Sequence, residues 1–176
     1  MVIGHTRLAT RGRPEENVNN QPHAAGTGGD RWAAVCNGVI PGHRDKAAAL
    51  GLPLRSECDS DLLVQTLARY GGHAGPDVCL SFGGKQSVLA IDTQARTMLA
   101  WTNGELPLVA FRVEDWPALW WASTEEIACE ALEAVGLGAR FAAAEPEVHY
   151  RMDVRGGEVA LRTVELQRQC QARDMR

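Results

Sequence analysis

The chain has 176 residues, of which 45% are hydrophobic and 23% charged, with a formal net charge of -4. That length suits one domain with a core of its own, and the mild acidity offers no field to draw in nucleic acid or an anionic membrane. The cysteines at 36, 58, 79, 129 and 170 form no CxxC pair and no zinc spacing, no apolar run reaches the ~20 residues of a membrane span, and no signal peptide opens the chain, which together predict a cytoplasmic protein with reduced thiols.

Residues 2–8 read as a short strand running into a polar loop. The loop passes Pro14, Asn17, Asn19, Asn20 and Pro22 and reaches the turn Gly26-Thr27-Gly28-Gly29. Trp32 to Cys36 (WAAVC) is an apolar strand expected to stop at Asn37-Gly38, a pair that by itself signals a tight turn. A short helix follows over His43 to Leu50, stopped by Gly51 and Pro53. Ser56-Glu57-Cys58-Asp59-Ser60-Asp61 is an acidic cluster at the start of a second helix, which carries Leu62, Leu63, Thr66, Leu67 and Tyr70 at helical spacing up to Gly71-Gly72. Aspartates there ordinarily cap the helix, each stabilising it by about 0.5–2 kcal/mol.

Beyond this point strands dominate. Gln86 to Ile91, Thr97 to Trp101, Leu106 to Val113 and Leu119 to Ala122 read as strands, the first two forming a hairpin across Asp92 to Arg96. Ser123-Thr124-Glu125-Glu126 reads as a capping box with Ser123 at the cap, opening a helix that ends near Gly136. Strands over Arg140 to Ala144, Val148 to Val154 and Glu158 to Val164 finish the sheet, with Gly156-Gly157 as the last turn and a polar tail from Leu166. Because helices and strands do not alternate regularly, the pattern predicts an α+β fold built on antiparallel sheets.

Several signatures are ruled out by spacing. Gly83-Gly84-Lys85 lacks the pattern of a phosphate-binding loop, and there is no His-Glu-x-x-His helix or GxSxG elbow. His5 and His23 have no third ligand at a sensible spacing, so no metal site is expected. What remains is a set of polar groups at strand–loop junctions: Arg7, Thr10, Asn37-Gly38 and Asp59. Such a set can receive an α-amino acid, because arginine grips a carboxylate with two parallel bonds and aspartate holds an ammonium. An amide side chain beside a backbone N–H can stabilise the oxyanion of acyl transfer. Each group also has an ordinary structural explanation, and spacing alone leaves both readings open.

The motifs bring in a family. GHTRLATRG resembles the GHTR-x-AT-x-G motif of class II glutamine amidotransferases, the amino-terminal-nucleophile family that releases ammonia from glutamine. In the same order, NNQPH is similar to the family's Asn/His-Pro-His stretch, VCNGVI to its V-x-NG-x-I segment and SECDSDLLVQTL to its SE-x-DSE helix start. Val88 to Asp92, Pro107-Leu108 and Ala122 to Glu126 correspond to its A-x-x-D, SPL and ASE positions, so the likeness runs from Gly4 to about Val164.

The resemblance implies a four-layer αββα sandwich of antiparallel sheets over residues 1–165, followed by a polar tail over 166–176. It implies that Arg7 binds the glutamine α-carboxylate with Thr10 supporting that loop, that Asp59 holds the α-ammonium, and that Asn37 and Gly38 form the oxyanion hole. His5 and His23 would order the loop. No cofactor or metal is implied; glutamine is the ligand, and the ammonia would pass to a synthase partner or domain. Leu8 and Arg11 depart from the sugar-phosphate-synthesising members, which carry Trp and His at those positions.

The family's nucleophile is a cysteine at the mature amino terminus, upstream of the GHTR motif, whereas this sequence starts Met1-Val2. The expectation is therefore a domain lacking its amino-terminal segment and inactive as given. The rival reading is a non-catalytic amino-acid-binding or structural module derived from the same fold. Cys36, beside Asn37, is a third candidate nucleophile, with His5 or His23 as its base, although small buried strand cysteines are ordinarily inert packing residues.

Overall fold

The structure is a computed structural model that describes residues 1–6, 12–26, 31–155 and 158–165. Its strands are β1 (His23–Ala25), β2 (Trp32–Val39), β3 (Lys85–Asp92), β4 (Thr97–Thr102), β5 (Val109–Val113), β6 (Trp120–Ala122), β7 (Ala139–Ala143), β8 (Val148–Arg155) and β9 (Glu158–Glu165). Its helices are α1 (His43–Ala49), α2 (Asp61–Ser81) and α3 (Glu125–Glu133). The first sheet has the order β1-β2-β3-β4-β8-β9 and the second β6-β5-β7, and every described pairing is antiparallel.

Strand alternation decides the layering. Ala34 and Cys36 of β2, Val88 and Ala90 of β3, and Leu99 and Trp101 of β4 share one face, where they pack with Leu62, Leu63 and Leu67 of α2 and Ala47 of α1. The residues between them point the other way. Leu89, Met98, Ala100, Tyr150 and Met152 meet Leu108, Trp121 and Ala144, joining the first sheet to the second. The outer face of the second sheet, with Phe111, Val113 and Phe141, receives Ala128 and Leu132 of α3. The layers thus run helix, sheet, sheet, helix, the αββα sandwich that the motif order implied. Fully burying one of these large apolar side chains contributes about 1.5–3 kcal/mol.

Several local expectations are corrected. Residues 2–6 form no strand; Val2 is 90% exposed and has no apolar face to join. Residues 7 and 8 lie outside the described residues. β2 does not stop at Cys36 but runs through Asn37-Gly38 to Val39, because β3 stays paired with it as far as Lys85. The second helix continues past Gly71-Gly72: Gly71 breaks it with φ 73° and ψ 178°, and a further helical stretch reaches Ser81. The cap of α3 is Thr124, not Ser123, and its hydroxyl accepts from the Ile127 N–H at 3.2 Å. Gly156-Gly157 and the tail over 166–176 lie outside the described residues. Among the described residues, no helix is long and apolar enough to cross a membrane.

Candidate functional site

The site is built where β2 ends. Gln21 lies just before β1 and uses its side chain as a strand edge: its Nε2 donates to the Cys36 carbonyl at 3.0 Å and its Oε1 accepts the Cys36 N–H. β1 itself pairs only with Trp32 to Ala34, so beyond Gln21 the outer edge of β2 has no opposing strand among the described residues. Since Cys36 turns both backbone groups to this edge, the two-residue period of a strand turns those of Gly38 the same way. The opposite side agrees. Gln86, the register partner of Gly38, directs its backbone away from β2, its N–H to Asn103 Oδ1 at 3.1 Å and its carbonyl to the Asn103 N–H at 3.1 Å. The Gly38 N–H therefore faces outward.

Gly38 has to be glycine. A Cβ built there would sit 1.9 Å from the Lys85 carbonyl oxygen, a distance no side chain tolerates. Next to it Asn37 is exposed, on the face turned toward the second sheet, and pairs in register with Ser87, whose Oγ donates to the Pro107 carbonyl at 3.1 Å. The NG, Ser87 and Pro107 segments thus meet at one corner.

Asp59 arrives at the same corner from the loop before α2. It is 5% exposed, and its Oδ2 accepts the Ile40 N–H at 2.7 Å, two residues beyond Gly38. Among the described residues its Oδ1 has only a weak contact with Cys58 Sγ at 3.9 Å, which leaves it acceptor capacity toward a ligand. Asp61 does the local structural work, since Oδ2 takes the N–H groups of Arg55 and Ser56 and Oδ1 accepts from Gln65 Nε2 at 3.1 Å. The two aspartates have separate tasks, which the helix-cap reading had merged.

Asn19, absent from the candidate set, ties the polar loop to Asp59's loop. It is fully buried; its Nδ2 donates to the Arg13 carbonyl at 3.2 Å and to Glu16 Oε2 at 3.3 Å, and its Oδ1 accepts the Glu57 N–H at 2.9 Å. Gly12, with φ +71°, packs so tightly on it that a Cβ would come within 2.7 Å of Asn19 Cγ. The sequence signal for both Asn19 and Gln21 was the NNQPH motif, where polar amides sit in a loop short of apolar residues. Arg7 and Thr10, just before Gly12, lie outside the described residues. His23 is buried in β1 opposite Ala34, and His5 is half-buried in the coil at residues 1–6.

The described cysteines do not supply a nucleophile at this corner. Cys36 faces the helix side of the sheet, and burial, with Asp59 nearby, pushes its thiol up to about 12. It stays protonated at neutral pH, so the proposal of a substitute nucleophile finds no activated thiol. Cys79 is likewise buried with its thiol pushed up, chiefly by burial. Among the described residues, no group of three His, Cys, Asp or Glu side chains could hold a metal ion.

No family model matches the chain. In sequence it is 44% identical over 69 residues to a glutamine–fructose-6-phosphate aminotransferase of Thermosynechococcus vestitus, a match covering 38% of this chain and 10% of that protein. It is 38% identical over 76 residues to the Gloeobacter violaceus protein of the same name, covering 41% of this chain and 12% of the relative. In fold it is similar to the glutamine phosphoribosylpyrophosphate amidotransferase of B. subtilis solved with ADP and GMP, at TM-score 0.67 and 19% identity over 93% of this chain and 34% of that one. The chain spans only about a tenth of the curated relatives' length and a third of the solved one's. Over about two fifths of its length the chain is thus similar in sequence to glutamine–fructose-6-phosphate aminotransferases, and in fold it resembles a glutamine phosphoribosylpyrophosphate amidotransferase.

Proposed function

We propose that this domain is a glutaminase half whose corner at the end of β2 receives glutamine. Asp59 Oδ1 takes the α-ammonium, Arg7 the α-carboxylate, with Thr10 supporting the Arg7 loop and His5 and His23 ordering it. The side-chain amide of the ligand lies beside Asn37 and Gly38. In amide cleavage, attack by a thiolate at the amide carbon places negative charge on its oxygen; the Asn37 amide and the Gly38 N–H are the donors that accept it. Removing one such donor costs about 2.7–4 kcal/mol in acyl-transfer enzymes. Ammonia then leaves and the thioester is hydrolysed, the ammonia being consumed by a synthase partner or domain.

The observation that carries this reading is the outward Gly38 N–H on a strand edge that Gln21 closes one step earlier. An amide that has no partner among the described residues, next to an exposed asparagine and a buried carboxylate with an oxygen to spare among those residues, is poor structure and good receptor. None of the four described cysteines is placed as the thiolate: Cys36, Cys58 and Cys79 are buried, and Cys129 lies on α3. The 176-residue chain by itself is thus proposed to bind glutamine without turning it over, a behaviour shared with the binding-module alternative. Calorimetry with glutamine tests the receptor. Binding is expected, and Arg7→Ala and Asp59→Asn should each weaken it at least tenfold. Unchanged affinity in both variants would reject the assignment.

A further inference from the structure

β4 stops at Thr102, where the chain turns away from the first sheet. Gly104 has φ 85°, its N–H donates to Thr102 Oγ1 at 3.0 Å, and that hydroxyl donates to the Leu106 carbonyl at 2.7 Å. β3 outlasts this partner, since its last rung with β4 is Ser87 opposite Thr102 and the strand itself begins at Lys85. Asn103 fills the gap with its own atoms. Its N–H donates to the Gln86 carbonyl at 3.1 Å, its side-chain Oδ1 accepts the Gln86 N–H at 3.1 Å, and its Nδ2 donates to the Gly84 carbonyl at 2.7 Å. The same Oδ1 also accepts the Glu105 N–H at 3.3 Å, which ties the departing turn to the brace. One half-buried side chain thus stands in for a strand, as Gln21 does for Cys36 on the other side of β2.

The brace bears on Gly38 because β2 and β3 meet there at backbone contact. Gly38 lies against the Lys85 carbonyl, and a Cβ on Gly84 would come within 2.2 Å of the Val39 carbonyl oxygen. Beyond Gln21, β3 is the one strand beside Gly38 among the described residues, so the start of β3 sets where Gly38 sits. Without the Asn103 amide, the Gln86 N–H and the Gly84 carbonyl lose these acceptor and donor atoms, and β3 would twist or fray to recover them from water. A donor to an oxyanion works only within about 2.7–3.1 Å of the oxygen, so a small shift of Gly38 is enough to spoil it.

We propose that Asn103 is a positioning residue for the Gly38 donor, an inference that rests on the glutamine reading of the corner. Its amide keeps the start of β3 paired after β4 has left, which holds Gly38 opposite Gln86 with its N–H outward. It also fixes the exit of the chain toward Pro107, whose carbonyl accepts from Ser87 Oγ. One side chain therefore sets two of the three segments that meet at the corner.

The test compares L-glutamine with L-norvaline, which keeps the α-groups and the three side-chain carbons but lacks the amide, by calorimetry on the full 176-residue chain. In Asn103→Ala glutamine should bind about fivefold more weakly, the worth of one hydrogen bond, while norvaline is unchanged. Asn103→Asp, which keeps the acceptor for the Gln86 N–H and loses the donor to Gly84, should show the same split at smaller size and carries the comparison if the alanine variant does not fold. Equal losses for both ligands, or none for glutamine, would overturn the proposal. Amide exchange on the ligand-free chain separates it from the glutamine reading. In Asn103→Ala the Gln86 amide should enter the fastest phase, and Asn37 and Val39, whose N–H groups turn toward β3, should lose protection about tenfold while Val35 keeps its own. A parent chain that binds neither amino acid rejects the glutamine reading; unchanged protection at Asn37 and Val39 rejects the brace.

Discussion

Gly38 and Asn19 are the two residues whose substitution separates the geometry of the corner from its chemistry. Gly38→Ala drives a methyl group into the Lys85 carbonyl, so β2 and β3 must part. The expected loss is about 3 kcal/mol, the upper part of the overpacking range, read as a lower urea midpoint. Asn19→Ala removes three hydrogen bonds and takes from the Glu57 N–H its acceptor. It should cost about 1–3 kcal/mol and weaken glutamine binding together with stability, because it releases the polar loop from Asp59's loop. At this scale the motifs named Asn37, Gly38 and Asp59, which the fold brings to one corner. They could not separate Asp59 from Asp61, because the difference is which backbone N–H groups each carboxylate reaches, Ile40 for one and Arg55 and Ser56 for the other.

Among the elements, the hairpin of β3 and β4 has its own electrostatic lock. Asp92 accepts from Arg31 through both carboxylate oxygens, the shorter contact being 2.6 Å to Arg31 Nη2, and from the N–H groups of Gln94 and Ala95. Burial alone would raise its pKa, but the Arg31 hydrogen bonds and the two backbone donors outweigh it and hold the carboxyl below its ordinary 3.8. A carboxyl lowered on folding adds stability that is complete above the unfolded value and is lost as pH falls through the folded one. Urea midpoints measured at pH 7 and at pH 3 should therefore drop more in the parent chain than in Arg31→Gln. The hairpin was legible from alternation flanking a polar turn. The continuation of β2 through Asn37-Gly38 was not, since Asn-Gly is also the commonest sequence of a two-residue turn and only pairing with β3 decides between them. The same limit hid the second stretch of α2, where paired glycines read as a stop although Gly71 alone makes the break.

For the molecule as a whole, periodicity supplied an α+β class with antiparallel strands and nothing finer. The division into two sheets depends on β5, β6 and β7 leaving the first sheet between β4 and β8, which then pair with each other. No local pattern records a partner that far along the chain; the order of the family motifs did. The resulting sandwich brings the two sheets together at one polar corner, where Asn37 and Gly38 meet the Pro107 segment. The outward Gly38 N–H also has a consequence for solvent exchange. Inside a strand of a six-stranded sheet, most amides exchange with deuterium only when the structure opens. Asn37, turned toward β3, should be protected in this way, while its neighbour Gly38 should exchange within the fastest phase. Adding glutamine should slow Gly38 alone among the amides of β2, and a Gly38 amide protected from the outset would show that this edge is closed.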